Sequence, residues 1–153
     1  MTSATIAANA GASNITLTEA TNDFGTVLLT GDTVQVTDTN SIDLGASTIA
    51  TALTVNAGGN VTQSGAIAAA GAVTTTVNAN GSDITLLDAA NDFGTVALDG
   101  SIVLVNDTNG IDLGASSIST SFEVNAGGNV TNSGVYGHSQ EVKIKTTLME
   151  VVK

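Results

Sequence analysis

The sequence predicts an all-β fold, a right-handed parallel β-helix (β-solenoid) of about six rungs, and three observations support this. Residues 9–65 align with residues 78–134 at a constant offset of 69, with 38 identities in 57 positions and no gap. Within each repeat, apolar residues followed by Asn recur at shorter intervals. The chain contains no Pro and has many short segments in which apolar and polar residues alternate, as paired strands require.

Three sequence blocks carry the duplication. The blocks NDFGTV, IDLGAS and VNAGGNVT begin at Asn22, Ile42 and Val55 and recur at Asn91, Ile111 and Val124. This internal repeat predicts a domain over residues 1–134, with repeat one at 8–76 and repeat two at 77–134. Its period is longer than one coil of a solenoid usually is, so each repeat should divide further.

Strand-like segments divide each repeat into shorter units. They begin at Ala8, Val36, Val55, Val77, Val105 and Val124, and these sequence numbers differ by 28, 19, 22, 28 and 19. We therefore expect three units of about 23 residues in each repeat, with these positions stacked in one column. The next position is Asn in five of the six units, which predicts a hydrogen-bonded ladder of side-chain amides. The ladder residues are Asn9, Asn56, Asn78, Asn106 and Asn125.

Two other fold classes fit the sequence less well. Only residues 66–73 have a composition that favours a helix, and they contain Gly71 and precede three consecutive Thr residues. A β-sandwich would also be all-β, but it gives no reason for the same residues to recur in every unit. The core of the predicted β-helix should consist of Val, Ile, Leu and Ala, because the chain has only three Phe and one Tyr.

The repeated blocks resemble the shaft repeats of filamentous-haemagglutinin-like exoproteins, large adhesins that Gram-negative bacteria secrete through the two-partner pathway. The resemblance rests on NDFGTV, IDLGAS and GGNVTxSG, which occur in the same order twice and span about residues 8–134. It implies a right-handed β-helix, export across both membranes and a role in adhesion or surface structure. The family's secretion domain has Asn-Pro motifs that this chain lacks, so the resemblance is to shaft alone.

Residues 135–153 differ from the rest of the chain. Residues 1–142 contain thirteen acidic residues and no Lys or Arg, whereas residues 143–153 contain three Lys and one Glu. Alternation of apolar and polar residues predicts a strand, which either caps the solenoid, connects it to another chain or is foreign to the repeats. The candidate assembly strand comprises Val142, Lys143, Ile144, Lys145 and Leu148.

Composition excludes several partners and cofactors. A net charge of −11 argues against binding to nucleic acid, which recruits Lys and Arg. The sequence contains no run of apolar residues long enough to insert into a membrane. Without Cys it has no disulfides, and with one His it has no pair for a metal cluster, so we expect no cofactor. Calcium is the remaining metal to consider, with Asp38 and Asp107 as weak candidate ligands.

The residues that chemistry would need are also scarce, so we expect no enzyme activity. A lyase requires a basic residue that the repeats lack, and the duplicated Asp residues are explained by turn formation. The predicted function is a structural or adhesive shaft of a secreted bacterial surface protein, with an export signal outside this chain and a host or neighbouring-cell surface, or its glycans, as partner. One alternative is a homo-oligomer, a filament stacked end to end through the C-terminal strand. A second is a β-helix enzyme acting on polysaccharide.

Overall fold

The chain folds into a single stack of parallel strands. The computed structural model describes residues 4–138 and 141–146. Within them lie fourteen strands: β1 (Ala4–Asn9), β2 (Ile15–Leu17), β3 (Phe24–Asp38), β4 (Ile42–Leu44), β5 (Ser47–Ala57), β6 (Val61–Gln63), β7 (Ile67–Asn78), β8 (Ile84–Leu86), β9 (Asp92–Asp107), β10 (Ile111–Leu113), β11 (Ser116–Ala126), β12 (Val130–Asn132), β13 (Tyr136–His138) and β14 (Glu141–Thr146). None of the residues described is in a helix that could span a membrane.

All strand pairings are parallel, and they coil the chain into a β-solenoid of about seven turns. The predicted fold class is therefore confirmed, although the number of turns exceeds the six expected. Long strands such as β5 and β7 pass around corners of the coil, where the register shifts between Thr48 and Ala52. These shifts let a turn gain or lose a few residues while the strands on either side stay paired.

One stack of residues measures the length of a turn. It runs through Ile15, Val34, Leu53, Thr75, Val96, Leu113 and Asn132, each of which pairs directly with the next. Successive sequence numbers in this stack differ by 19, 19, 22, 21, 17 and 19. A turn therefore takes about 20 residues, at the short end of the range for solenoid repeats. We call the side of the solenoid that contains this stack side one.

A second stack lies half a turn away along the chain, on what we call side two. It runs through Ile42, Val61, Ile84, Val103, Phe122 and Val142. Two residues further along the same strands, Leu44 and Gln63 continue a neighbouring stack that begins with Ile6 and Val27. Side chains in both stacks point inward and most are fully buried.

The two sides exchange between repeats. Ile15 lies on side one, and its equivalent in the next repeat, Ile84, lies on side two. Val27 on side two likewise has its equivalent, Val96, on side one. Three turns from Ile15 end at residue 75, and nine more residues reach Ile84. One repeat is therefore three and a half turns long, and equivalent residues face opposite directions.

Because of this half-turn relation, the predicted column of stacked residues at the start of each short unit is wrong in two places. Val36 does not stack on Ala8, because Ala8 pairs with Leu29 and Val36 pairs with Leu17. Val77 and Val105 are also separated, since Val77 pairs with Leu98. The two longest predicted intervals therefore each comprise one turn plus part of the next. The three-unit division of the repeat is wrong, although the repeat itself is real.

Close backbone approach explains the glycines that recur in the GGN block. A Cβ on Gly58 would lie 2.2 Å from the carbonyl oxygen of Thr39, and one on Gly127 would lie 2.2 Å from that of Thr108. Real Cβ atoms do not come so near to backbone oxygen, so only glycine allows the turns to stack here. The core of the solenoid is mostly aliphatic, but its largest fully buried side chains are Phe93 and Phe122.

Thr75 interrupts the apolar stack of side one, and this generates a prediction. Its side chain is fully buried and, among the described residues, its hydroxyl has no hydrogen-bond partner. Burying an unpaired hydroxyl costs about 1–3 kcal/mol. Thr75→Val keeps the shape of the side chain and should raise the free energy of unfolding by about that amount, as measured by denaturant titration.

Thr74→Val is the matched control, because Thr74 is exposed in the same strand. It should change the free energy of unfolding by less than about 0.5 kcal/mol. Equal effects of the two substitutions would show that strand propensity, and not the buried hydroxyl, is responsible.

Candidate functional site

The predicted Asn residues occupy more than one position of the coil. Asn56 pairs with Asn78, and Asn106 pairs with Asn125, whose Nδ2 lies 3.5 Å from Asn106 Oδ1. Asn9 instead pairs with Thr30. The five residues therefore form two neighbouring pairs and one separate residue, not a single ladder, because the two longest intervals do not return to the same position of the coil.

Two of these residues stabilise turns. The side-chain oxygen of Asn9 accepts a hydrogen bond from Gly11 N at 2.9 Å, and that of Asn78 accepts one from Asn80 N at 2.8 Å. The turn at Asn80 contains a positive φ of 50°, which Asn tolerates better than most residues. Their recurrence at equivalent positions thus reflects the same local turn in both repeats.

Asp38 and Asp107, the calcium candidates, are buried and bind backbone N–H groups. Asp38 accepts hydrogen bonds from Phe24 N at 2.5 Å and Asn40 N at 2.9 Å. Asp107 accepts the equivalent bonds from Phe93 N at 2.7 Å and Asn109 N at 3.1 Å. Each carboxylate joins the turn that follows its strand to the start of the same strand, 14 residues earlier, which the sequence could have indicated only through the paired recurrence of NDF and DTN.

The Asn and Asp of the NDF block complete this connection. In repeat one, Asn22 Nδ2 donates to the carbonyl oxygens of Leu17 and Thr37, both at 3.2 Å. In addition, Asn40 Nδ2 donates to Asp23 Oδ1 at 3.0 Å, and Asn109 Nδ2 donates to Asp92 Oδ1 at 2.9 Å in repeat two. The NDF and DTN blocks are separated by the same number of residues in both repeats because they bind each other within one turn of the coil.

A buried polar pair connects repeat two to repeat one. Asn91 is fully buried, and its Oδ1 accepts hydrogen bonds from Ile67 N at 3.0 Å and from Gln63 Nε2. Its Nδ2 donates to Gln63 Oε1 at 3.0 Å and to the carbonyl oxygen of Leu86 at 3.2 Å. The amide is thereby satisfied on both sides, as a buried polar group must be. Sequence reasoning gave no signal for this contact between turns.

A second kind of Asp lies on the outer surface. Asp112 accepts hydrogen bonds from Thr131 Oγ1 at 2.8 Å and from Ser133 Oγ, both one turn further on. Asp43 does the same with Thr62 and Ser64. Because equivalent residues exchange sides, these two exposed clusters face opposite directions. Within the described ranges, no three His, Cys, Asp or Glu residues come close enough to hold a metal ion.

Burial and hydrogen bonding shift the pKa values of two Asp residues in opposite directions. Burial raises the pKa of Asp107 above its usual value, even though the N–H groups of Phe93 and Asn109 oppose the shift. The hydroxyl of Ser133, followed by that of Thr131, holds the pKa of Asp112 below its usual value. The buried carboxylate therefore has its charged form disfavoured, and the exposed one has its charged form favoured.

Two surface grooves, each with a volume of about 410 Å³, lie along repeat two. The first contains Ala97, where repeat one has Leu28, and is flanked by Val135, which is 83% exposed. The second lies beside Gly110, where repeat one has Ser41, and Phe93 and Ile111 contribute to its lining. Its lining includes Asp92, Asn109, Asp112, Asn129 and Thr131. Both grooves occur where repeat two has the smaller residue.

The candidate assembly strand forms the last described strand of the coil. β14 pairs with β11, so that Val142 and Ile144 follow Phe122 and Val124 in the inward stacks. Val142 is 38% exposed and Ile144 is 51% exposed, whereas the two residues they follow are buried. Leu148 lies outside the described residues.

A surface ion pair links this strand to the previous turn. Lys145 Nζ lies 2.6 Å from Glu123 Oε1, and Lys145 lowers the pKa of that carboxyl. Both side chains are exposed, so the pair contributes little to stability. The pair is diagonal, because the register of the two strands places Lys145 beside Asn125 and Lys143 beside Glu123.

The stacked parallel strands, the satisfied polar turns and the duplicated surface clusters define a β-solenoid repeat protein. Three consecutive segments, residues 2–30, 31–99 and 100–146, match the family described as "Repeats of unknown function (DUF5649)". The chain belongs to this family. The middle segment has the same length as the period found in the sequence. Searches of curated proteins and of solved structures gave no match.

The opposite pKa shifts predict opposite pH dependences for two substitutions. For Asp112, the folded-state pKa is depressed, so its contribution to stability is present above the unfolded pKa and is lost as the pH falls through the folded pKa. The destabilisation caused by Asp112→Asn should therefore shrink as the pH is lowered below about 4, the ordinary pKa of an Asp side chain. Denaturant titrations at a series of pH values measure it.

Asp107→Asn provides the comparison. It removes an oxygen acceptor from a buried N–H group, which costs about 1–3 kcal/mol near neutral pH. Because the folded-state pKa of Asp107 is raised, the wild-type carboxyl gains stability as the pH falls through that value, so the deficit of the variant should grow. If both deficits changed in the same direction, the assignment of the two shifts would be wrong.

Proposed function

We propose that the chain is a non-catalytic shaft segment of a secreted bacterial surface protein. The observation that carries this proposal is the half-turn relation between repeats, together with pairing that continues from β1 to β14. If every repeat placed the same residues on the same side, any bend that one repeat introduced would accumulate along the solenoid. Because successive repeats alternate sides, each repeat bends the solenoid in the direction opposite to the repeat before it, and this favours a straight rod.

On the basis of sequence resemblance, we extend the proposal to one class of shaft protein. The ordered blocks NDFGTV, IDLGAS and GGNVTxSG resemble those of filamentous-haemagglutinin-like exoproteins, which supports secretion through the two-partner pathway and display on the bacterial surface. The function proposed is extension of an adhesive surface away from the cell. It requires neither a bound cofactor nor a catalytic residue.

The partner proposed is a host or neighbouring-cell surface, with glycans as the chemical group contacted. The groove beside Gly110 supports this, because carboxylate, amide and hydroxyl groups line it together with the apolar residues Phe93 and Ile111. Such groups donate and accept the hydrogen bonds that sugar hydroxyls make. Asp112 and Thr131 already face each other at its edge.

Insertion of one further copy of residues 31–99 between residues 99 and 100 tests the rod geometry. Three and a half turns at about 4.8 Å each should lengthen the particle by about 17 Å without widening it. Small-angle scattering measures both dimensions. A wider particle of unchanged length, or one that bends with each added repeat, would contradict the proposal.

Antibodies against the chain test its location. We expect them to label intact cells of the source bacterium, because a surface shaft is accessible without permeabilisation. Antibodies against a cytoplasmic protein of the same cells provide the control and should label only permeabilised cells. Labelling by both antibodies only after permeabilisation would contradict surface display.

A further inference from the structure

The two ends of the described solenoid carry unpaired strand edges. At the N-terminal end, β1 and β2 each pair only with β3 among the described residues. At the C-terminal end, β12 pairs only with β10 and β14 pairs only with β11, again within residues 4–138 and 141–146. Each such edge presents backbone N–H and C=O groups that can pair with another parallel strand.

We propose that a second copy of this chain stacks on the C-terminal end, rotated by half a turn about the solenoid axis. The rotation follows from where the edges lie. β12 ends side one at Asn132, and β14 ends side two at Val142. The first strand, β1, begins on side two at Ile6, and β2 begins on side one at Ile15.

A half-turn exchanges the two sides, so that each edge strand of the second copy meets an edge strand of the first. In this arrangement β1 of the second copy follows β12 on side one, and β2 follows β14 on side two. Repeat two already shows that this placement is compatible with the coil. Ile84, the equivalent of Ile15, lies in the side-two stack, one turn before Val103. Residue 75, the equivalent of Ile6, lies in the side-one stack, one turn after Leu53.

The joint would continue the inward stacks. Ile15 of the second copy covers Val142 of the first, and Leu17 covers Ile144, as Ile84, the equivalent of Ile15, covers Val61 of the preceding turn within the chain. Val142 and Ile144 are 38% and 51% exposed, so their apolar surface is available for burial. Burying such surface is the main favourable contribution to association.

Charge also favours this joint over sideways contact. Lys143 and Lys145 lie on β14, whereas the charged residues among the first 38 are all acidic and include Glu19 and Asp23 beside β2.

Without the rotation, β1 of the second copy would follow β14 on side two, and among the described residues of the two copies no strand would directly follow β12 on side one. The rotated arrangement leaves no such gap.

Cysteine pairs distinguish the two arrangements, since the natural chain has no Cys. In the rotated joint, Lys143 of one copy lies beside Thr16 of the next, and neighbouring parallel strands are close enough for a disulfide. The double variant Thr16→Cys with Lys143→Cys should form a ladder of multimers under oxidising conditions. These positions lie at opposite ends of the solenoid, so the link must join two chains.

Thr5→Cys with Lys143→Cys is the matched control, because Thr5 would face Lys143 only without the rotation. It should remain monomeric in a non-reducing gel. Crosslinking of this pair in place of the Thr16 pair would overturn the rotated joint. Absence of crosslinks in both, together with a wild-type mass that stays monomeric at every concentration, would overturn stacking while leaving the shaft proposal intact.

Charge-introducing variants test the head-to-tail character of the joint. Ile144→Lys should block the C-terminal end and Leu17→Lys the N-terminal end, so each variant alone should be monomeric by light scattering. Mixed in equal amounts, they retain one intact pair of ends and should give a doubled mass. Circular dichroism establishes that each variant is folded. If wild type assembles but the mixture stays monomeric, the proposed pairing of ends is wrong.

Discussion

The structure depends on parallel pairing in register between turns whose lengths are unequal. Backbone hydrogen bonds require each strand to follow its neighbour, yet the turn from Leu53 to Thr75 contains more residues than the turn from Val96 to Leu113. The additional residues are accommodated at the corners, where the register shifts, while the straight segments stay aligned. Val34, Leu53 and Val96 therefore remain in one inward stack despite the variation. A shift of one residue on a straight segment would expose that whole stack.

Buried Asp residues fix the length of a turn where apolar packing alone would not. Asp38 and Asp107 each bind two N–H groups, one in the turn that follows their strand and one near the start of that same strand, 14 residues earlier. Burial of a carboxylate is unfavourable, as the raised pKa of Asp107 indicates, but a strand with one residue more or fewer would leave buried N–H groups unpaired. The polar contacts thus penalise changes of length that an aliphatic stack would tolerate. Asn91 and Gln63 instead connect different turns, one in repeat two and one in repeat one.

The fold class could be predicted because repetition and strand alternation are properties of the sequence itself. Which residues stack on one another could not be predicted from the sequence. Identical residues at equivalent positions of two repeats indicate that their surroundings are alike, and not that they lie close together in space. Val36 and Val105 share a motif but lie on opposite sides, since one repeat is three and a half turns long. The turn role of Asp was predictable from its chemistry, whereas its strand partner was not. That the C-terminal strand joins another chain stays a prediction.

The half-turn relation also determines how charge is distributed around the solenoid. Asp43 follows Ile42 on side two, and its equivalent, Asp112, precedes Leu113 on side one. A repeat with a whole number of turns would place all such carboxylates on one side and leave the other side free for lateral contact. Alternation instead puts acidic residues on both sides, so solenoids lying side by side would repel one another in either orientation. The basic residues that the structure describes, Lys143 and Lys145, both lie on β14, so the proposed attraction between chains would be directed along the axis.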